Sequence, residues 1–366
     1  MIRIQILIPF LFAVISSKAQ GFDDNGIIKR DSIIPRQSTN STSDIATYIN
    51  ANFTSEREKA RAIYAWVTSN ISYSTDSANI INLGGNGEAK ITFALRRRKG
   101  VCENYTAIFN DIALKCGLIS FVISGYTKQG GVIDKIGHSW ATILINKEWQ
   151  LFDPTWDEGN MDPKYFMMKP GDFIETHMPY DPLWQLLYYP LTHHQFSGSY
   201  HKTNVPYFNY VDSINAYMQM DSLHKLQSSA LRMQKNNLEK ELVRNNYKFL
   251  KMQIETINQD KDVDLYNSAV ADMNDATAIL NSFIQYRNNK FTPQKPDSEI
   301  DAMFDRMETM LHSSKEKLEK IDRSPATFTI GTDHVKDRIN TLLISIGQQK
   351  DYIKRYTASG KNIQMQ

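Results

Sequence analysis

Two cysteines occur in the 366 residues, and the first, Cys102, stands where a thiol is most reactive. It lies in Lys99-Gly100-Val101-Cys102-Glu103-Asn104-Tyr105, a break followed at once by helical periodicity. His138 follows in Gly137-His138-Ser139-Trp140, and Asp153 in Phe152-Asp153-Pro154-Thr155-Trp156. Thiol, imidazole and carboxylate in this order can serve as nucleophile, general base and orienter of an acyl transfer. A free thiol, with a pKa of about 8.5, is only slightly ionised at neutral pH. A paired imidazole shifts it toward thiolate and imidazolium, and a carboxylate fixes the tautomer of that imidazole and steadies its charge.

The elements that must position these groups are legible from periodicity. Tyr105, Ile108, Phe109, Ile112, Ala113 and Cys116 recur at the spacing of one buried helical stripe, and Gly117 ends it. Cys102 is thereby predicted in the first helical turn, where unpaired N–H groups and the positive end of the helix dipole favour a thiolate and can hold an oxyanion. Phe121 to Tyr126 reads as a strand, followed by a Gly130-Gly131 loop, a strand over His138 to Ile145, a turn at Asn146-Lys147 and a strand over Trp149 to Asp153. A two-residue turn sets Asp153 opposite Trp140, with His138 diagonal on the same face, about 7–8 Å away or somewhat less. A one-residue slip would send the two to opposite faces. Singly, each residue has a bland reading: a core thiol, a hydrogen-bonded core histidine, a turn-initiating Asp-Pro. Their ordered coincidence within about fifty residues outweighs those readings.

Gly-Val-Cys-Glu-Asn-Tyr, Gly-His-Ser-Trp-Ala and Trp-Gln-Leu-Phe-Asp-Pro-Thr-Trp together resemble the transglutaminase-like superfamily, relatives of papain-type thiol enzymes. The flavour is that of a bacterial secreted branch similar to the domain of the cytokinesis and kyphoscoliosis-peptidase proteins. Lys59 to Val67, Asn70-Ile71-Ser72-Tyr73, and Phe173 to Pro179 with Trp184 to Leu187 extend the likeness over roughly residues 45–200. The resemblance implies an α+β fold with an antiparallel sheet, and implies Cys102, His138 and Asp153 as a catalytic triad. Asn104 departs from it, standing where many relatives carry glycine. The second oxyanion donor stays open among Trp66, Tyr73 and other polar or indole groups.

The texture of the chain divides it further. Residues 1–19, with Arg3, an apolar run and a small-residue end at Ala19, are expected to be a cleavable signal peptide; the run is too short to span a membrane. Residues 20–44 are Ser/Thr-rich and are expected to form a flexible arm. Ser55 and Glu58 are spaced as a capping box opening a helix. The transglutaminase-like domain is expected over 45–205 and an all-α bundle over 206–366. Its apolar stripes run Leu231, Leu238, Leu242, Phe249 and Met252; then Ile300, Phe304, Met307, Leu311, Leu318 and Ile321, broken by Ser314; then Ile339, Leu342, Leu343, Ile346 and Ile353.

Cys102 and Cys116 on one helix stand about 21 Å apart, which excludes a disulfide between them. A net charge of +2 gives no reason to expect nucleic acid. Arg96-Arg97-Arg98-Lys99 reads as a solvated face or a greeting for an acidic substrate. No histidine or carboxylate spacing signals a metal, His193-His194 included, and Gly84-Gly85-Asn86-Gly87 lacks the context of a phosphate loop, so no cofactor is expected. Sequons occur at Asn40, Asn52, Asn70 and Asn104. A glycan on Asn104 would crowd Cys102, which favours a bacterial origin. The expected activity is that of a secreted or periplasmic peptidase, amidase or protein transglutaminase working through a thioester. Its partners would be protein or peptide substrates of the cell envelope, with the C-terminal helices available for protein contacts. The competing reading is a non-catalytic cell-surface scaffold that keeps the fold.

Overall fold

The computed structural model describes residues 34–75, 87–160, 162–198, 205–321 and 326–358. The expected leader 1–19, the start of the arm, and Gly84 to Asn86 lie outside them. The rest of the arm does not behave as expected. Ile34 is buried in the main core, and Arg98 Nη2 donates to Thr39 O at 2.9 Å, so 34–44 is docked by an apolar anchor and a cation. Helix α1, Thr42–Asn52, opens on a capping box of Ser41 and Asp44; α2, Glu56–Asn70, opens on the one expected from Ser55 and Glu58. Strand β1, Ser72–Tyr73, pairs in parallel with β2, Lys99–Gly100, after the intervening α3, Gly87–Arg97. The cysteine helix α4 spans Cys102–Lys115, and Gly117 at φ 81° closes it as predicted.

The sheet consists of β3 (Ile119–Gln129), β4 (Val132–Ile145), β5 (Glu148–Phe152), β6 (Phe166–Met168) and β7 (His177–Pro179), in the order β6-β5-β4-β3-β7 with every pairing antiparallel. It is covered on both faces, as strand alternation requires. Ala141, Ile143, Ile145 and Phe152 pack against α1, α2 and α4, whereas Ile123, Trp140, Trp149 and Leu151 meet Phe173, Leu183, Trp184 and Ile214 on the other side. Asn146 and Lys147 both take positive φ (50° and 69°), which makes the β4–β5 connection a two-residue turn whose backbone twist matches the strands. The register that follows, Ala141 against Phe152 and Ile145 against Glu148, is the one the sequence analysis required.

Beyond the short α5 (Pro170–Phe173) come α6 (His193–Ser197), α7 (Tyr210–Gln219) and α8 (Ser222–Lys235), then the long α9 (Glu241–Asn288), α10 (Asp297–Glu319) and α11 (Ala326–Ala358). The chain divides into compact units at Lys248/Phe249, within α9, not at the change of texture near residue 205. The reason is that α7 and α8 belong physically to the sheet unit. Ile214 is fully buried in its second core, and Tyr217 packs edge-on to Trp184 at 5.3 Å. Arg232 reaches Asp181 with two nitrogens, Nε at 2.7 Å and Nη2 at 2.6 Å. Both partners are largely buried, so losing the guanidinium strands a carboxylate. Arg232→Met is expected to lower stability by roughly 3 kcal/mol, read as a fall in the urea midpoint of the sheet unit's transition at constant slope.

In the second unit the stripe Ile300, Phe304, Met307, Leu311 and Leu318 is buried together with Ile339 and Ile346. Ser314, expected as a break in that stripe, is itself buried and donates to Ala269 O at 2.6 Å. The stripe from Leu231 to Met252 is not a seam. Helix α8 ends at Lys235 and Asn237 takes φ 86°, so the period is interrupted and Leu231, Phe249 and Met252 are exposed.

Candidate active site

Gly100 and Asn104 fix the start of the cysteine helix. Asn104 is fully buried; its Oδ1 accepts from Val101 N at 2.9 Å and its Nδ2 donates to Lys90 O at 3.0 Å. A Cβ on Gly100 would stand 2.5 Å from Asn104 Cβ, so the glycine is what lets this brace close. The departure at Asn104 thus braces the turn before Cys102, whose thiol is half-buried. Thr106 Oγ1 lies 2.9 Å from Cys102 O and 3.0 Å from Ser139 O, tying the first turn of α4 to β4 beside His138. Gly125 pairs with His138 across β3 and β4. A Cβ there would meet Met178 O at 2.2 Å and the Trp140 ring at 2.4 Å, so only glycine allows β7 and Trp140 to close around this part of the sheet.

The structure brings the three expected residues together. His138 Nε2 is 2.7 Å from Asp153 Oδ2, which leaves Nδ1 for the hydrogen bond His138 makes with Cys102. Burial works against a charged imidazole, but the Asp153 carboxylate and the bond to Cys102 outweigh it and push the His138 pKa up to about 10. Burial alone would likewise raise Asp153, yet His138 and a second histidine hold it well below the usual carboxylate range. The loop carrying Asp153 is anchored in turn. Tyr64 Oη lies 2.8 Å from Asp153 O and donates to Asp157 Oδ2 at 2.6 Å, and Asp157 accepts from the Lys164 and Tyr165 amides.

That second histidine, His177, was not singled out by sequence reasoning. Its Nε2 is 3.1 Å from the same Oδ2, and its ring is buried among Phe173, Trp156, Trp140 and Tyr165. Its sequence context, His177-Met178-Pro179, carries no catalytic signature, and only the pairing of β7 with β3 through Tyr126↔Met178 brings it to the site. His138, Asp153 and His177 have the donor types of a metal site, their ligand atoms within 4.8 Å of one another. Two ligands on a tetrahedral zinc at about 2.0–2.1 Å stand roughly 3.3 Å apart. The 2.7 Å separation between His138 and Asp153 is that of a shared proton, so this donor set does not fit an ion. Of the side chains considered as second oxyanion donors, Trp66 lies buried beneath the Arg98 guanidinium, 5.0 Å from its ring centre. Tyr73 is partly exposed, and its phenol, like that of Tyr180, is within electrostatic reach of Cys102. Cys116 is separate from all of this: it is buried, its Sγ faces Ala46 O, and burial pushes its thiol up to about 11.

Residues 43–154 match the model of the transglutaminase-like superfamily, so the chain contains a transglutaminase-like domain of α+β architecture. It is similar to kyphoscoliosis peptidase of Mus musculus, 30% identical over 167 residues, 41% of this chain and 25% of that protein. It is also similar to Cytokinesis protein 3 of Saccharomyces cerevisiae, 27% identical over 150 residues, 36% of this chain and 17% of the relative. The chain thus spans a quarter or less of the length of these relatives. Among solved structures, a TGase aligns over 33% of this chain and 34% of its own, with 19% identity and a TM-score of 0.25. Among the described residues no helix is long and apolar enough to cross a membrane.

Proposed function

We propose that the transglutaminase-like domain is a cysteine-nucleophile acyl-transfer enzyme acting on peptide or side-chain amides of proteins. The observation that carries this reading is the continuous chain from Cys102 through His138 to the fully buried Asp153. The Cys102 thiolate attacks the amide carbonyl carbon, and the negative oxygen is received at the N-terminus of α4. The C–N bond then breaks as imidazolium His138 gives its proton to the leaving amine, which leaves a thioester. Neutral His138 then takes a proton from water or from a primary amine as that nucleophile bonds to the thioester carbonyl carbon. The C–S bond breaks, the Cys102 thiolate returns, and a carboxylic acid or a new amide is released. Asp153 stays ionised throughout, since its pKa lies far below neutrality. Export to a secreted or periplasmic setting is part of this proposal, on the strength of the leader-like residues 1–19.

The test begins with iodoacetamide at pH 6 on the folded protein, with the adducts mapped. Cys102 is expected to be carboxamidomethylated well ahead of Cys116, whose buried thiol titrates only near 11. An inert Cys102 would overturn the reading in favour of a scaffold that merely keeps the fold. A glutamine- and amide-containing peptide library, with and without an added primary amine, then separates hydrolysis from transfer.

A further inference from the structure

We infer that His177 is a positioning residue of this site, a neutral imidazole that donates its Nε2 proton to Asp153 Oδ2 and so fixes the carboxylate that orients His138. The inference rests on the reading of Cys102, His138 and Asp153 as a thiol centre, and adds a fourth member to it.

The tautomer follows from the neighbours. Thr176 Oγ1 is 2.8 Å from His177 Nδ1. The ionised carboxylate 3.1 Å away can only accept, which places the ring proton on Nε2. The Thr176 hydroxyl, whose other acceptor Phe173 O is farther at 3.4 Å, can donate to the bare Nδ1. The cage of aromatic rings, with Phe173 only 4.0 Å away centroid to centroid, disfavours a charge on this ring. The charged groups acting on it are Asp153, His138 and Asp134; burial outweighs the attraction of Asp153 and holds its pKa below the ordinary histidine value. His177 is therefore a donor that does not compete as a cation.

Asp153 shows why such a donor is needed. Its Oδ1 is held by the Thr155 and Trp156 amides at 2.9 and 3.3 Å. Its Oδ2 faces the two imidazoles, and the His138 proton alone would leave one lone pair of a fully buried oxygen unsatisfied. With His177 in place, Oδ2 has two partners as Oδ1 does, and rotation of the carboxylate must break all four hydrogen bonds. A neutral second donor also lowers the proton affinity of Oδ2, so the proton of the imidazolium stays on His138.

The test compares His177→Phe, which keeps the aromatic packing and removes the donor, with His177→Gln, whose amide can donate from a similar distance. Thr176→Val, at a partly exposed position, removes the hydroxyl that supports this tautomer at Nδ1, together with its longer bond to Phe173 O. The readouts are the rate of Cys102 alkylation at pH 6, kcat and KM on an amide substrate, and the downfield proton resonance of the His138–Asp153 bond. Misplacement of a catalytic group by about 1 Å costs on the order of 10²-fold. His177→Phe is expected to lose that factor in kcat with KM unchanged and to shift the resonance; His177→Gln is expected to recover most of both, and Thr176→Val to fall between. Folded Phe and Gln variants that lose activity equally would show that a replacement donor does not rescue, and would overturn the donor role. A folded Phe variant with wild-type kcat and resonance would overturn the proposal outright. If Cys102 of the unmodified protein is inert, it is the thiol-centre reading that fails, while the resonance still reports whether His177 holds Asp153.

Discussion

Cys102→Ser is expected to abolish turnover, with a fall on the order of 10⁶-fold, the scale on which removal of a nucleophile is felt in a catalytic triad. The substitution changes one atom on the first turn of a helix whose start is held by Asn104 and Thr106, so the fold should be untouched. What disappears is the sulfur nucleophile that the proposed mechanism requires, since a hydroxyl is far less acidic and less nucleophilic than a thiol. The measurement is single-turnover thioester formation and steady-state amide cleavage, alongside the thermal midpoint. An unchanged midpoint with activity gone assigns the loss to chemistry. Cys116→Ala provides the contrast, since that thiol sits under α1 against Ala46 and should leave the rate alone.

The second large effect is expected at Asp153. Asp153→Asn keeps the volume but removes the charge, and the corresponding change in a serine-based triad costs about 10⁴-fold. It should also move the alkaline limb of the rate profile. In the native protein His138 is protonated up to about 10 because the carboxylate overcomes burial. Without that charge burial wins, and the limb should fall to or below the ordinary histidine range near 6.5. The stability consequence has a definite sign. A raised folded pKa on His138 gives stability that is full below its unfolded value, 6.5, and is lost as pH rises through about 10. A depressed pKa on Asp153 gives stability present above its unfolded value, 3.8, and lost below that as the carboxylate protonates. The gap in stability between native protein and Asp153→Asn should therefore be widest between about pH 4 and 6.5 and should close toward pH 10. A pH series of urea midpoints reads it; a gap independent of pH would mean the carboxylate is not charge-paired with His138.

How much of this the sequence disclosed depended on the range of the interaction involved. The Asn146-Lys147 turn is local, and its two residues were enough to set the register that brings Asp153 beside His138. The helix start at Cys102 was equally local, read from Gly100 on one side and an apolar stripe on the other. His177 was different. It reaches Asp153 through the pairing of β7 with β3, a contact across about fifty residues that no periodicity announces. The docking of 34–44 and of Arg232 onto Asp181 escaped for the same reason, since polar composition suggested separation where a single buried isoleucine and one bidentate ion pair impose attachment. Ser314 misled in the opposite direction, a polar residue satisfied inside a core by one backbone carbonyl.

Gly125 carries a consequence for descent. Because its missing side chain is the space that Trp140 and the Met178 carbonyl occupy, any other residue there forces apart the strand bearing His138 and the strand bearing His177. The restriction is set by backbone and ring packing and not by the reactivity of the thiol, so it binds any copy of this domain that keeps the fold. Position 125, which bears no functional group at all, is thus where the spacing between the strands of His138 and His177 is decided.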